Sequence, residues 1–193
     1  MSESVVIIYY SGYGHTEKQA EAVAAGALEV AGVDCTLIPV ASLESADAEG
    51  WHTVDAASAV IFGSPTYMGS AAAEFKKFME ASSGRWMAGK WQDKLAAGFT
   101  NSGSHNGDKQ NTLVEFVTFA AQHGMVWINL NIAPGNNSSA GSINDLNRLG
   151  ASLGAMAQSN VDVGPDEGPI ASDLETAKSL GRRVGQSTLR WNT

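Results

Sequence analysis

Val5-Val6-Ile7-Ile8-Tyr9-Tyr10 runs directly into Ser11-Gly12-Tyr13-Gly14-His15-Thr16, and an amphipathic helical pattern follows at once. An apolar, β-branched run of this length reads as a strand buried on both faces, as in a parallel sheet. The glycines and hydroxyls after it form a short loop. Ala20, Val23, Ala24, Ala27 and Leu28 then mark one stripe of a helix over 17–30. A helix that starts at such a loop presents unpaired backbone N–H groups, which favour an anion. The loop contains no Lys or Arg, so an anion there is expected to be held by neutral donors.

The same alternation continues along the chain. Strands are expected at 35–40, 59–63, 95–100 and 125–130, and helices at 72–81, 112–123 and 173–189. A short helix over 144–157 is expected inside the Gly-, Asn- and Ser-rich stretch 133–168. Repeated β–α units imply a parallel sheet with helices on both faces. The expected fold is therefore α/β, a flavodoxin-like three-layer sandwich whose five-stranded sheet has the order 2-1-3-4-5.

A chain of 193 residues with 44% apolar content suits one domain, 1–193, with one sizeable core. Its net charge of −8 opposes nucleic acid and anionic membrane as partners. No apolar stretch is long enough to span a bilayer. Met1-Ser2-Glu3-Ser4 lacks the basic start of a secretory leader, and a cytoplasmic location is expected. The single cysteine, Cys35, reads as an inert thiol in a strand.

In a doubly wound sheet, ligands bind beyond the carboxyl ends of the strands. Three loops should meet there: 11–16, the segment Gly63-Ser64-Pro65-Thr66-Tyr67-Met68-Gly69-Ser70, and Thr100-Asn101-Ser102-Gly103-Ser104-His105-Asn106-Gly107. The first is not a P-loop, because no Lys follows its glycine, and it lacks the third glycine of a dinucleotide fingerprint. A phosphate held by neutral donors is typical of a flavin mononucleotide (FMN) site. The second loop offers a rigid proline, the flat Tyr67 and the polarizable Met68. The third is crowded with small hydrogen-bonding residues suited to a polyol or a ring edge. His123, at a helix end before Gly124, is expected to border the same crevice. No histidine pair has metal-ligand spacing, and no metal is expected. Trp86 and Trp91, in a Gly-flanked polar stretch, are expected to be interface anchors or ligand covers, and Trp127 core.

With these pieces in order, the chain resembles the flavodoxin-like NAD(P)H:quinone oxidoreductases of the WrbA type. The resemblance rests on Tyr9-Tyr10-Ser11-x-Tyr13-Gly14-His15, Ile61-Phe62-Gly63-Ser64-Pro65-Thr66, Gly84-x-Trp86, the loop 101–107 and His123-Gly124-Met125-Val126. It implies FMN as cofactor. Ser11, Tyr13, Gly14, His15 and Thr16 would hold the phosphate, and Pro65, Thr66, Tyr67, Met68 and Gly69 the isoalloxazine ring. Ser102, Gly103, Ser104, Asn106 and Gly107 would lie along the ribityl chain and ring edge. His123 would contact the flavin and act as the catalytic residue. Tyr13 would touch the nicotinamide nucleotide, and Trp86 would line the substrate pocket of a neighbouring subunit. The implied activity is ping-pong transfer of two electrons from NADH or NADPH to a quinone-like acceptor, in a homo-oligomer (dimer or tetramer). Two other readings stand beside it: a flavodoxin-type electron carrier reduced by a partner reductase, and an FMN-bound regulatory protein.

Overall fold

A computed structural model of the chain describes residues 2–45 and 47–191; Met1, Ala46, Asn192 and Thr193 lie outside them. The opening run forms β1 (Glu3–Tyr9), and α1 (His15–Leu28) follows the glycine loop. Next come β2 (Val33–Pro39), α2 (Gly50–Ala56), β3 (Ala59–Tyr67), β4 (Ser70–Ala71), α3 (Ala73–Ala81) and α4 (Ser83–Met87). The chain closes with β5 (Leu95–Ser102), α5 (Lys109–Gln122), β6 (Val126–Trp127), β7 (Ala155–Gln158) and α6 (Ala171–Trp191).

The sheet has the order β2-β1-β3-β5-β6, all parallel, with β7 also paired to β5. The expected order is therefore present, but seven strands make it, not five. The fifth lane is split. β6 pairs with Leu95 and Ala96, the chain departs, and β7 returns beside Phe99–Ser102. Two contacts fix the break. The Trp127 indole N–H donates to Leu153 O at 2.9 Å, and a Cβ on Gly154 would lie 2.0 Å from Gly98 O. Only glycine lets the chain re-enter the sheet there. Residues 155–158 are thus a strand, and the helix expected over 144–157 does not form.

Alternate residues of β1 feed two cores. Val6 and Ile8 face an aromatic layer with Phe62, Phe75, Phe78 and Phe116, whereas Val5 and Ile7 face α1 and α6. The two helices on that second side cross closely: a Cβ on Gly26 would meet Lys178 O at 1.8 Å, and one on Gly181 would meet Val23 O at 1.9 Å. Trp91 belongs to the aromatic layer. It is fully buried beside Trp51 and donates to Asp55 Oδ1 at 2.9 Å, so it is neither an interface anchor nor a ligand cover. Trp127 is half-buried against the same layer. Cys35 is partly buried, and burial pushes its thiol up to about 11, which keeps it protonated. No helix among the described residues is long and apolar enough to cross a membrane.

Candidate functional site

A cavity of about 520 Å³ opens at the carboxyl edge of the sheet. The three expected loops converge on it: Tyr13, His15 and Thr16 from the first, Pro65 and Tyr67 from the second, Ser102 and Gly103 from the third. Among the described residues, its lining contains no Lys, Arg, Asp or Glu.

The floor is the start of α1. Gly14, the residue that precedes the helix, takes left-handed dihedrals (φ 87°) and has no side chain with which to cap it. The first helical amide bond is from Lys18 N–H to Gly14 O (3.0 Å), so the preceding amides have no helical partner. Ser11 Oγ accepts the Glu17 N–H at 3.1 Å and holds the loop to the helix. His15 plays a part beyond the expected one. Its Nε2 pairs with Val163 O at 3.0 Å; a carbonyl only accepts, so that nitrogen carries the proton. His15 thereby ties the phosphate loop to a fourth segment.

The second loop is a hairpin. β3 runs on through Tyr67 and turns at Met68 and Gly69, both at positive φ (49° and 86°), into the antiparallel β4. A two-residue turn of this kind suits the twist of a hairpin. It leaves Met68 fully exposed and sets Tyr67 against Tyr13, edge to face, with ring centroids 6.4 Å apart. Partial burial, with Tyr10 and Tyr13 nearby, raises the Tyr67 hydroxyl, which therefore stays a donor at neutral pH. Thr66 points away from the cavity mouth: its Oγ1 is buried and bonded to Thr100 Oγ1 and Thr112 Oγ1, both at 2.8 Å.

Of the third loop, Ser102 and Gly103 line the cavity, with Asn101 beside them. Ser104 contributes its carbonyl to the loop's internal bonding, and Gly107 packs against the Ser102 side chain. Asn106 accepts the Asp108 N–H and borders a separate hollow with Arg148.

A fourth wall, Ser159, Asn160, Val161, Val163 and Gly164, carries no signal in the sequence. Ser159 donates to Asn101 Oδ1 (3.1 Å), and Pro165 packs on Gly14. This wall hangs from β7, so its place was hidden with that strand. Behind it, Arg148 clasps Asp173 through Nε (2.8 Å) and Nη2 (2.7 Å), both side chains almost fully buried. Asp173 also accepts the Gln158 N–H, and Gln158 Nε2 donates to Gly103 O and Asn160 Oδ1.

His123 does not border this cavity, contrary to expectation. α5 begins at the cavity end of β5 and runs antiparallel to the strands for 14 residues, roughly 21 Å at the rise of a helix. His123 therefore lies at the opposite edge of the sheet. Its ring stacks on Trp91 (centroids 4.3 Å), and Nε2 pairs with Ser82 Oγ at 2.9 Å. Burial pushes the imidazole down to about 4, so it is neutral at pH 7. Trp86 is 57% exposed on α4 and shares a shallow hollow with His123, Met79 and Phe119. Within one chain, then, Trp86 is also apart from the cavity.

The NADPH-dependent FMN reductase family model matches residues 5–137. Flavodoxin FldP from Pseudomonas aeruginosa (strain UCBPP-PA14) is 45% identical over 186 residues, 96% of each chain. An NAD(P)H dehydrogenase (quinone) from Geobacter sulfurreducens is 32% identical, covering 98% of this chain and 99% of its own. Among solved structures, a flavodoxin, WrbA-like protein from Agrobacterium tumefaciens superposes with a TM-score of 0.76. It has 41% identity over 98% of this chain and 99% of that one.

Proposed function

The chain belongs to the NADPH-dependent FMN reductase family, and we propose that it oxidises NADH or NADPH and reduces a quinone or similar small acceptor through bound FMN. The observation that carries this reading is the open, uncharged cavity at the start of α1, flanked by two tyrosines. Its donors fit the cofactor. The free amides of the first loop, with Ser11, Tyr13, Gly14, His15 and Thr16, suit a phosphate. Pro65 and Tyr67 give the flat wall a ring needs, with Met68 and Gly69 at its edge. Ser102, Gly103 and Asn101 offer polar contacts for a polyol chain.

When bound, FMN would supply the electron chemistry, hydride acceptance followed by two-electron donation. The protein's own residues bind and orient. One mouth serves both substrates, so the nicotinamide leaves before the acceptor enters. Tyr13 and Tyr67 stand at that mouth to stack on flat substrates. The balance is NAD(P)H, one proton and quinone giving NAD(P)⁺ and quinol. Initial rates with both substrates varied test this order: parallel double-reciprocal lines are expected, and intersecting lines would exclude it.

In a homo-oligomer, Trp86 reaches a neighbouring copy's mouth and covers its substrate. The neutral His123 is a support here, since its bond to Ser82 anchors the amino end of α4, which carries Trp86. Trp86→Ala should raise KM for the quinone about tenfold, the worth of one aromatic stacking contact. FMN content should not change. An unaltered KM would remove Trp86 from the site.

A second reading is favoured by the 45% identical relative named flavodoxin FldP. In it, the same cavity holds FMN as an electron carrier for a protein partner. Turnover of NAD(P)H and quinone by the pure protein separates the two.

A further inference from the structure

Lys109, the first residue of α5, is completely buried, and nothing in the chemistry above uses it. Its ammonium donates to Ser102 Oγ (2.7 Å), Ser104 O (2.8 Å) and His105 O (2.9 Å). All three acceptors belong to the loop that walls the cavity after β5. Ser102 Oγ itself donates a hydrogen bond to Ser104 O at 3.0 Å, so one ammonium closes a compact knot in that loop. Two other buried charges act on it: Asp173 favours the ammonium and Arg148 opposes it. Together the three carry one net positive charge, behind a wall whose cavity face bears no Lys, Arg, Asp or Glu.

A buried ammonium is costly even when fully hydrogen-bonded, and an apolar side chain would fill the same space at lower cost. Burial pushes Lys109 down to about 8, which still leaves it charged at neutral pH. A hydride carries two electrons and one proton. Reduction of bound FMN by a hydride from NAD(P)H would therefore add one negative charge to it, with NAD(P)⁺ as the other product. A fixed, buried cation would favour that added charge and offer nothing to the neutral oxidised ring.

We propose that Lys109 is a positioning residue that holds the Ser102–His105 loop in its binding shape and, by its charge, makes the cavity favour reduced over oxidised flavin. The proposal rests on the FMN reading above. Its test measures FMN affinity by fluorescence quenching, and the two-electron midpoint potential against a reference dye, for the wild type and Lys109→Met. The variant should bind oxidised FMN about tenfold more weakly. It should bind reduced FMN a further tenfold more weakly, which lowers the two-electron potential by about 30 mV. Lys109→Gln keeps a donor without the charge; it should show the same fall in potential with a smaller loss of affinity, and it carries the test should the Met variant not fold. Equal losses for both redox states, leaving the potential unchanged, would overturn the charge role. Unchanged affinity for both would overturn the positioning role as well. Failure of the wild type to bind FMN would instead overturn the functional reading itself.

Discussion

Arg148→Met is expected to lower stability by roughly 3–5 kcal/mol, because it strips the almost fully buried Asp173 carboxylate of its two-pronged cationic partner. The loss comes mainly from the group left behind. The Arg148–Asp173 pair is held by two parallel bonds, and Asp173 also accepts the amide of Gln158. For a domain of this size, such a loss lowers Tm by about 10 °C. The effect should reach the cavity, since Gln158 fastens both Gly103 and Asn160. FMN affinity should therefore fall together with Tm. The double change Arg148→Met with Asp173→Leu removes both charges and should recover part of the stability but not the affinity, because the Gln158 amide then loses its acceptor as well. A single variant within about 1 kcal/mol of the parent, at the level of an exposed pair, would show that the pair is not closed to water.

The second large effect is at Gly14, where Gly14→Val is expected to weaken FMN binding on the order of a thousandfold. Two costs add. The left-handed backbone is unfavourable for any residue with a Cβ by about 1–2 kcal/mol, and more so for a branched one. A Cβ there would also sit 2.9 Å from Pro165 Cγ, pushing away the wall that His15 holds by its bond to Val163. Relief of such overpacking costs about 1–3 kcal/mol more. The loop would relax by rotating its amides away from the phosphate. Riboflavin, which has no phosphate, should lose much less affinity than FMN in the same titration. Equal losses for both ligands would place the damage in the ring wall instead of the phosphate loop.

The strand, loop and helix at the start of the chain were legible because their chemistry is local. A β-branched run, glycines and a helical stripe stand side by side in sequence. The converging loops followed from the topology that those units imply. What stayed hidden depends on distant partners. β7 is four residues long, and its identity as a strand comes from its pairing with Phe99–Ser102 and from Gly154 passing close to Gly98. No periodicity could show that, and the wall at 159–164 was lost with it. The Met68–Gly69 hairpin lacks the usual Asn-Gly signal, and Met68 adopts a backbone region its side chain does not favour. Trp91 lies in a polar stretch, yet its indole completes an aromatic layer built from α2, α3 and α5. His123 is a different case. A helix that follows a parallel strand returns to the amino edge of the sheet, so the topology already placed its end away from the crevice.

In the proposed function, this cavity holds FMN which NAD(P)H reduces directly. The measurement that tests it most directly is an anaerobic titration of the FMN-loaded protein with NADH and then NADPH, following the visible flavin band. Bleaching in proportion to added nucleotide, without an accumulating one-electron species, is the predicted result, and the more effective nucleotide identifies the donor. A flavin band that persists in excess of both nucleotides would contradict direct reduction and make the protein an electron carrier that depends on a partner reductase.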